Sequence, residues 1–433
     1  MFYVIEKSSQ LPSKFGNCFV RFIPKSNNFH PALTDLSLVY IRPLDDKKGY
    51  IICIDHTEAF SISKAEVTEW LINNTELLWV LDKKEALHWM YPLDKQLNDA
   101  HFIDFIDLTQ ALGNRCIDYY YSKYPNSPNV NCLIPISKHY EESEAIFNAV
   151  LPVIKKYSPM AVPTFFFNSF HTANVFYEIE KNGIKADKTC FVNHYKDKLH
   201  YPEYNLHKGK LYTYYNLYNT TSRPSNTFNN INFAALNKDN GERKCYKHEN
   251  DKFIELDFQG YHPRIIGNLV GFDFPKDRNT YDYLGELLGV SQQDAKELTF
   301  KQLYGGVWSE YQDKPFFKEV GVFVDDLWDT FQHGGAVKSH NKIFIRDQLE
   351  GMNPQKLFNY LIQSQETANN VYMLEKVLNY LKDKKTKIVL YTYDAFLFDY
   401  AKEDGEIFET ITQLLQYPVS IKQGKTYHGL EKL

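Results

Sequence analysis

FIELDFQGYHPRIIGNL, Phe253 to Leu269, is the stretch from which the rest of the chain can be read. Its first four residues are apolar-rich and β-forming, which predicts a strand that delivers Asp257 at its C-terminal end. A carboxylate in that position suits metal binding. A second β-rich run, KIVLYTYDAFLFDY over Lys387 to Tyr400, reads as strand, turn, strand and presents Asp394 in the turn. Asp257 and Asp394 can hold Mg²⁺ together if the fold brings them side by side. Taken singly, each is more simply a structural cap or a paired charge, because a strand carboxylate is usually satisfied locally.

Between them lies QQDAKELTFKQLYGG, Gln292 to Gly306, whose helical pattern sets Lys296, Phe300 and Tyr304 four apart on one face. One cation with two aromatics makes a nucleotide-binding face. Helix-to-core packing is the plainer reading of the aromatics alone.

Lys296, Phe300, Tyr304 and Gly305 match the pattern K-x-x-x-(F/Y)-x-x-x-Y-G, and on these residues the chain resembles the family A DNA polymerases, the group that includes bacterial DNA polymerase I. Asp257 to Arg264 is similar to the first catalytic motif of that family, and Tyr393-Asp394 to its third. TSRPSNTFNNINFAA, Thr221 to Ala235, matches the T-G-R-L-S-S…N-L-Q-N stretch at Thr221, Arg223, Ser225 and Asn230. FNYLIQSQET, Phe358 to Thr367, is similar to the helix whose N-x-x-x-Q is here Asn359 and Gln363. Five blocks in the family's order form a specific signal where one would be weak.

The resemblance implies an α+β multidomain chain with the right-hand polymerase fold. Its palm would occupy 206–433 with fingers inserted at about 272–345, after a reduced thumb over 136–205. Residues 1–135 would form an N-terminal ribonuclease H-like, exonuclease-like α/β domain, supported only by strand pattern: Asn17 to Ile23, Leu36 to Ile41, Tyr50 to Ile54 and Leu77 to Leu81, with a helix over Ser63 to Asn73. The family's D-x-E is absent there. Asp55 and Glu58 have the wrong spacing and read as strand-end polar residues, so this domain is expected to be inactive as a nuclease. Two helices are expected over Tyr140 to Tyr157 and Ser169 to Asn182, and the Asn/Ser/Pro cluster Pro125 to Asn131 is the linker candidate. The shortened thumb implies low processivity or an accessory processivity or replisome protein.

By the same resemblance, Asp257 and Asp394 would bind two Mg²⁺ ions. Lys296 would meet the triphosphate of the incoming dNTP, Phe300 would cover its sugar or base, and Tyr304 would stack near the templating position. Arg223, Asn230, Asn359, Gln363 and Tyr393 would touch primer-template DNA, Arg223 through the minor groove. Several positions depart from the family. His262 stands where members carry the Glu that gates against ribonucleotides, so sugar discrimination is expected to differ. Gln292 replaces an Arg, and Asp282-Tyr283-Leu284 replaces Asp-x-His. Arg278 is a substitute for the lost triphosphate contacts, whereas Lys301 is set aside because five residues turn it ~140° from Lys296. The third motif reads Tyr393-Asp394-Ala395 in place of H-D-E.

With 43% apolar and 24% charged residues in 433, the chain has the composition of a globular protein of two or three domains. No apolar run of membrane-spanning length and no leader pattern appears, so a cytoplasmic protein without membrane attachment is expected. Six cysteines without C-x-x-C spacing argue against zinc and a disulfide framework. The net charge of −5 does not advertise a nucleic-acid binder, though a sum hides local patches. The expectation is a compact, phage-type DNA polymerase. A single-subunit RNA polymerase and a catalytically dead primer-template binding module are the alternatives.

Overall fold

The computed structural model describes residues 2–26, 30–31, 34–92, 102–104, 131–157, 164–199, 202–228, 230–275, 278–340 and 342–433. The chain divides into two units, Met1–Tyr177 and Glu178–Leu433. All of the linker candidate except Asn131, and Cys116, lie outside the described residues.

Unit 1 is built on strands β1 (Phe2–Ile5), β2 (Asn17–Pro24), β3 (Leu36–Pro43), β4 (Gly49–Cys53), β5 (Leu77–Val80) and β6 (Phe102–Asp104), with helices α1 (Lys64–Asn74), α2 (Lys83–Met90) and α3 (Ile136–Tyr157). The sheet order is β1-β4-β3-β2-β5-β6. Strands β2, β3 and β4 form an antiparallel meander, while β5 runs parallel to β2 and β6 parallel to β5. The strands are apolar at nearly every position because both faces are covered. Val20, Val39 and Ile52 pack with Val67 and Leu71 of α1 and Ala86 and Leu87 of α2. Phe19, Leu38 and Ile51, one residue out of phase, pack with Ile146, Phe147, Val150 and Ile154 of α3. The sequence reading put the segment of α3 in a reduced thumb. Its apolar face instead closes the second face of this sheet, which places it in unit 1.

Helix α4 (Thr164–Asn182) runs across the division, and unit 2 continues with α5 (Lys188–Tyr195). Short ladders pair β7 (Ile184–Lys185) with β8 (Lys210–Leu211), and β9 (Tyr215–Asn216) with β10 (Ser225–Phe228) and β11 (Ile231–Asn232). Then come β12 (Lys252–Phe258), α6 (Tyr261–Val270), α7 (Thr280–Leu288), α8 (Gln292–Gly305), α9 (Pro315–Gly334), β13 (Ala336–Lys338), β14 (Ile343–Ile345), α10 (Pro354–Leu381), β15 (Lys387–Tyr391), β16 (Ala395–Tyr400), α11 (Ile407–Leu414), β17 (Val419–Gly424) and β18 (Glu431–Lys432).

The main sheet of unit 2 has the order β15-β16-β12-β17-β18 and is antiparallel throughout. Strand β12 is its centre, which explains the apolar Phe253-Ile254-Glu255-Leu256 run. The helices α6 to α10 share a second core through Ile266, Leu284, Leu303, Phe316, Phe331 and Leu361. Local chemistry sets their ends. Ser291 caps α8 by accepting from the Asp294 amide, Asn279 caps α7, and Asn353 with Pro354 opens α10. The turn from β12 into α6 uses Gly260 at φ +61°, where a Cβ would lie 2.5 Å from the side chain of Thr280. Only glycine fits that backbone and that space together.

Candidate active site

Asp257, near the end of β12, is the cross-strand partner of Ala395. Asp394, one residue earlier, therefore sits in the β15–β16 turn beside it, and the Phe258 amide donates to the Asp394 carbonyl at 2.9 Å. The turn is tight, with the Thr392 amide bonded to the Ala395 carbonyl at 2.9 Å. Tyr393 takes φ +68°, a left-handed conformation that costs a non-glycine residue on the order of 1 kcal/mol. Two contacts hold it. Asn370 Nδ2 donates to the Tyr393 carbonyl at 2.8 Å, and the Arg223 guanidinium lies 3.8 Å over the Tyr393 ring.

Asp394 reaches solvent, yet the protein around it strips enough hydration to hold its carboxyl above the usual range, and the charges of Asp257 and Glu366 push the same way. Asp257 has a cationic neighbour: Lys422 Nζ on β17 lies 2.8 Å from its Oδ2 and 3.2 Å from Glu255 Oε1. Burial pulls the Lys422 ammonium down, but its bond to Asp257 and the charges of Asp257 and Glu255 together hold it above its ordinary value. Asp394 forms no ion pair among the described residues. Two adjacent carboxylates, one lacking a cation, make a hard-oxygen donor set that fits Mg²⁺.

Helix α8 buries Ala295, Thr299, Gln302 and Leu303 and turns Lys296, Phe300 and Tyr304 to a groove of about 770 Å³. Phe300 and Tyr304 stack at 5.8 Å between centroids, and Lys296 Nζ lies 5.8 Å over the ring of Tyr281. Lys301, set aside on rotation, also lines the groove, because an open helix face admits side chains well beyond one row. Its ammonium is bonded to Glu297 at 2.6 Å. Arg278 is not a spare cation: it pairs with Glu286 at 2.5 Å.

The two faces meet at Glu366 on α10, whose side chain has no exposed surface. Glu366 Oε1 lies 3.1 Å from His262 Nε2, and Oε2 lies 2.9 Å from Arg223 Nε, an ion pair set off hydrogen-bond alignment. The other ring nitrogen of His262, Nδ1, meets the Tyr304 hydroxyl at 2.5 Å. Since carboxylate Oε1 can only accept, Nε2 carries a proton, and Nδ1 shares a hydrogen bond with the Tyr304 hydroxyl. Below this point Asn370 joins Tyr261 at 2.6 Å and Tyr391 at 2.9 Å to the Tyr393 turn.

The structure thus brings together Asp257, Asp394, His262, Arg223 and Tyr393, and it joins Thr221 to Gln363 at 3.0 Å and Gln363 to Asn359 at 3.0 Å. Asn230 stands apart at the exposed tip of the β10–β11 hairpin with φ +62°. Sequence reasoning passed over Glu366 and Asn370, although Asn359, Gln363, Glu366 and Asn370 fall at helical spacing on one face of α10. It also passed over Glu255 and Lys422, which nothing short of the β12–β17 register connects.

No protein-family model matches this chain, and no curated protein matches it. Among solved structures it is similar to the POL domain of Pol1 from M. smegmatis in complex with DNA primer-template and dNTP. The likeness covers 95% of this chain and 95% of that chain, with a TM-score of 0.63 and 14% sequence identity. The chain has the mixed α/β fold of that polymerase domain. No helix among the described residues is long and apolar enough to cross a membrane.

Proposed function

We propose that this chain is a template-directed DNA polymerase of the family A type, adding deoxynucleotides to a primer 3′ end. The carrying observation is the placement of Asp257 near the end of β12 beside Asp394 in the turn that leads into the neighbouring strand β16, with His262 and Tyr304 linking α6 to the helix that bears Lys296. Asp257 and Asp394 would hold two Mg²⁺ ions, which when bound would supply acidification of the primer hydroxyl and charge neutralisation of the leaving pyrophosphate. Lys296 meets the triphosphate as a point charge, Phe300 covers the sugar or base, and Tyr304 offers a ring to the base beside it. His262 holds Tyr304 from the sugar side. Arg223, clamped between Glu366 and Tyr393, faces the minor groove of the primer terminus, while Asn359, Gln363 and Asn230 contribute to the DNA surface. The sheet, α6 and α10 form the palm and α7 to α9 the fingers.

Between Asp187 and Thr221 the described residues hold only α5, a short turn over Pro202–Asn205 and two-residue strands, which supports a reduced thumb and reliance on an accessory protein. In unit 1 the order β4-β3-β2-β5-β6, with its meander and two parallel strands, supports a ribonuclease H-like domain. The strand that opens its meander, β2 (Asn17–Pro24), carries no carboxylate, in keeping with an inactive nuclease. The compact build suits a phage-encoded replicative enzyme acting in the host cytoplasm.

Primer extension with Mg²⁺ and either dNTPs or rNTPs tests the reading, with Asp394→Ala as control. Extension with dNTPs that disappears in the variant supports it. Extension from rNTPs alone would move the chain to RNA synthesis, and binding without extension by the native chain would make it a scaffold.

A further inference from the structure

Lys422 is an unexpected group to find at a cation-binding carboxylate. Register fixes its position: β17 pairs with β12 so that Lys422 lies opposite Glu255. Glu255 and Asp257, two apart, share one face of β12, and the Lys422 side chain bridges them. Its Nζ takes Asp257 Oδ2 at 2.8 Å and Glu255 Oε1 at 3.2 Å. Glu255 is buried, while the side chains of Lys422 and Asp257 keep 30% and 35% of their surface. The ammonium can therefore swing out to water without leaving its strand, whereas Glu255 cannot.

We infer that Lys422 is a tethered cation that competes with divalent metal for Asp257, so that the site takes up metal by exchange against its own ammonium. This rests on the reading of Asp257 and Asp394 as metal ligands. Asp257 and Asp394 repel as like charges, and Lys422 relieves that strain in the resting protein by neutralising one of them. A free divalent ion must displace the ammonium from Oδ2. An ion arriving with a nucleoside triphosphate also brings phosphate oxygens, which accept the displaced ammonium. Metal entry is thereby tied to the triphosphate, and the protein alone binds free metal weakly.

Binding of Mn²⁺ alone to the full chain, without DNA or nucleotide, tests this by the loss of the free-ion electron paramagnetic resonance signal. Sites unrelated to Asp257 are subtracted with Asp257→Asn. Lys422→Met and Lys422→Gln are each expected to tighten Mn²⁺ binding by at least about tenfold, the scale of removing one charge at this distance from a partly exposed site. Lys422→Arg, which keeps the charge, should bind as the native chain does. Lys252→Met, a charge removed elsewhere on β12 where Lys252 bonds Gln423, should also leave the affinity unchanged.

Unchanged or weaker binding in Lys422→Met and Lys422→Gln would overturn the inference and leave Lys422 a support for Asp257. An equal gain in Lys252→Met would reduce the effect to net charge and overturn it as well. If Lys422→Met loses its cooperative melt, Lys422→Gln decides. Primer extension by the native chain judges the polymerase reading separately: extension with no change in Mn²⁺ affinity sinks only the exchange, and tighter Mn²⁺ binding without extension sinks only the polymerase.

Discussion

In unit 1, Asp55 and Glu58 follow strand β4; in unit 2, Asp257 and Asp394 stand at the end of β12 and in the turn before β16. All four are carboxylates at strand ends, and their surroundings give them opposite uses. Asp55 pairs with Lys25, and Glu58 Oε2 accepts from the Ile136 amide at 2.8 Å, satisfying the first turn of α3. Those groups are spent on structure. Asp257 and Asp394 are neighbours whose charges repel, and the fold keeps them there through a left-handed Tyr393, a buried asparagine beneath it and a glycine turn beside it. Neighbouring carboxylates held against their own repulsion mark a place where a cation is wanted.

The contrast breaks most sharply in activity. Asp257→Asn or Asp394→Asn is expected to lower primer extension by at least about 10³, the scale of losing a preorganised electrostatic group at the reacting centre. Asp55→Asn and Glu58→Gln should leave extension within about twofold, and a loss comparable to that of Asp394→Asn would return unit 1 to the active centre. Next is Gly260→Ala, which combines a positive φ with a Cβ 2.5 Å from Thr280 and should cost unit 2 about 3 kcal/mol in urea unfolding. A neutral result would mean the β12–α6 turn does not hold Asp257 in place.

Glu366→Ala strands His262 and Arg223 without their shared carboxylate and should cost roughly 2–3 kcal/mol, less than a fully buried pair because Arg223 reaches solvent. Its denaturation midpoint, with Glu366→Gln falling between it and the native chain, checks the hub. The last effect belongs to unit 1. Burial, with help from Asp82, pushes the Glu85 carboxyl up from 4.5 to about 7, so the folded unit favours its protonated form. That stabilisation is whole below pH ~4.5 and lost as pH rises through about 7. The native chain should therefore lose stability relative to Glu85→Gln between pH 5 and 8 in thermal melts, and parallel curves would discard the assignment.

Much of unit 2 was legible because its signals are local. FIEL read as a strand, the Lys296-Phe300-Tyr304 spacing as a helix face, and Tyr393-Asp394 as a turn, each from periodicity or turn chemistry within about 15 residues. The strands of unit 1 were legible for the same reason, as continuous apolar runs. Assigning α3 to a thumb failed because an amphipathic helix shows that it needs a partner and not which one. On α10, Glu366 and Asn370 were within reach, since they continue the face begun by Asn359 and Gln363, but a glutamate in a helix carries no mark of burial.

The sequence by itself determined the strands and helices around the candidate site and the residue types that line it, because these depend on neighbours within one or two turns of chain. Only the tertiary structure decided that Asp257 adjoins Asp394, that Glu366 grips both His262 and Arg223, and that Lys422 rests on Asp257. Those pairs are set by sheet register and helix packing, and a register shift of one residue between β12 and β17 would put Lys422 and Asp257 on opposite faces of the sheet.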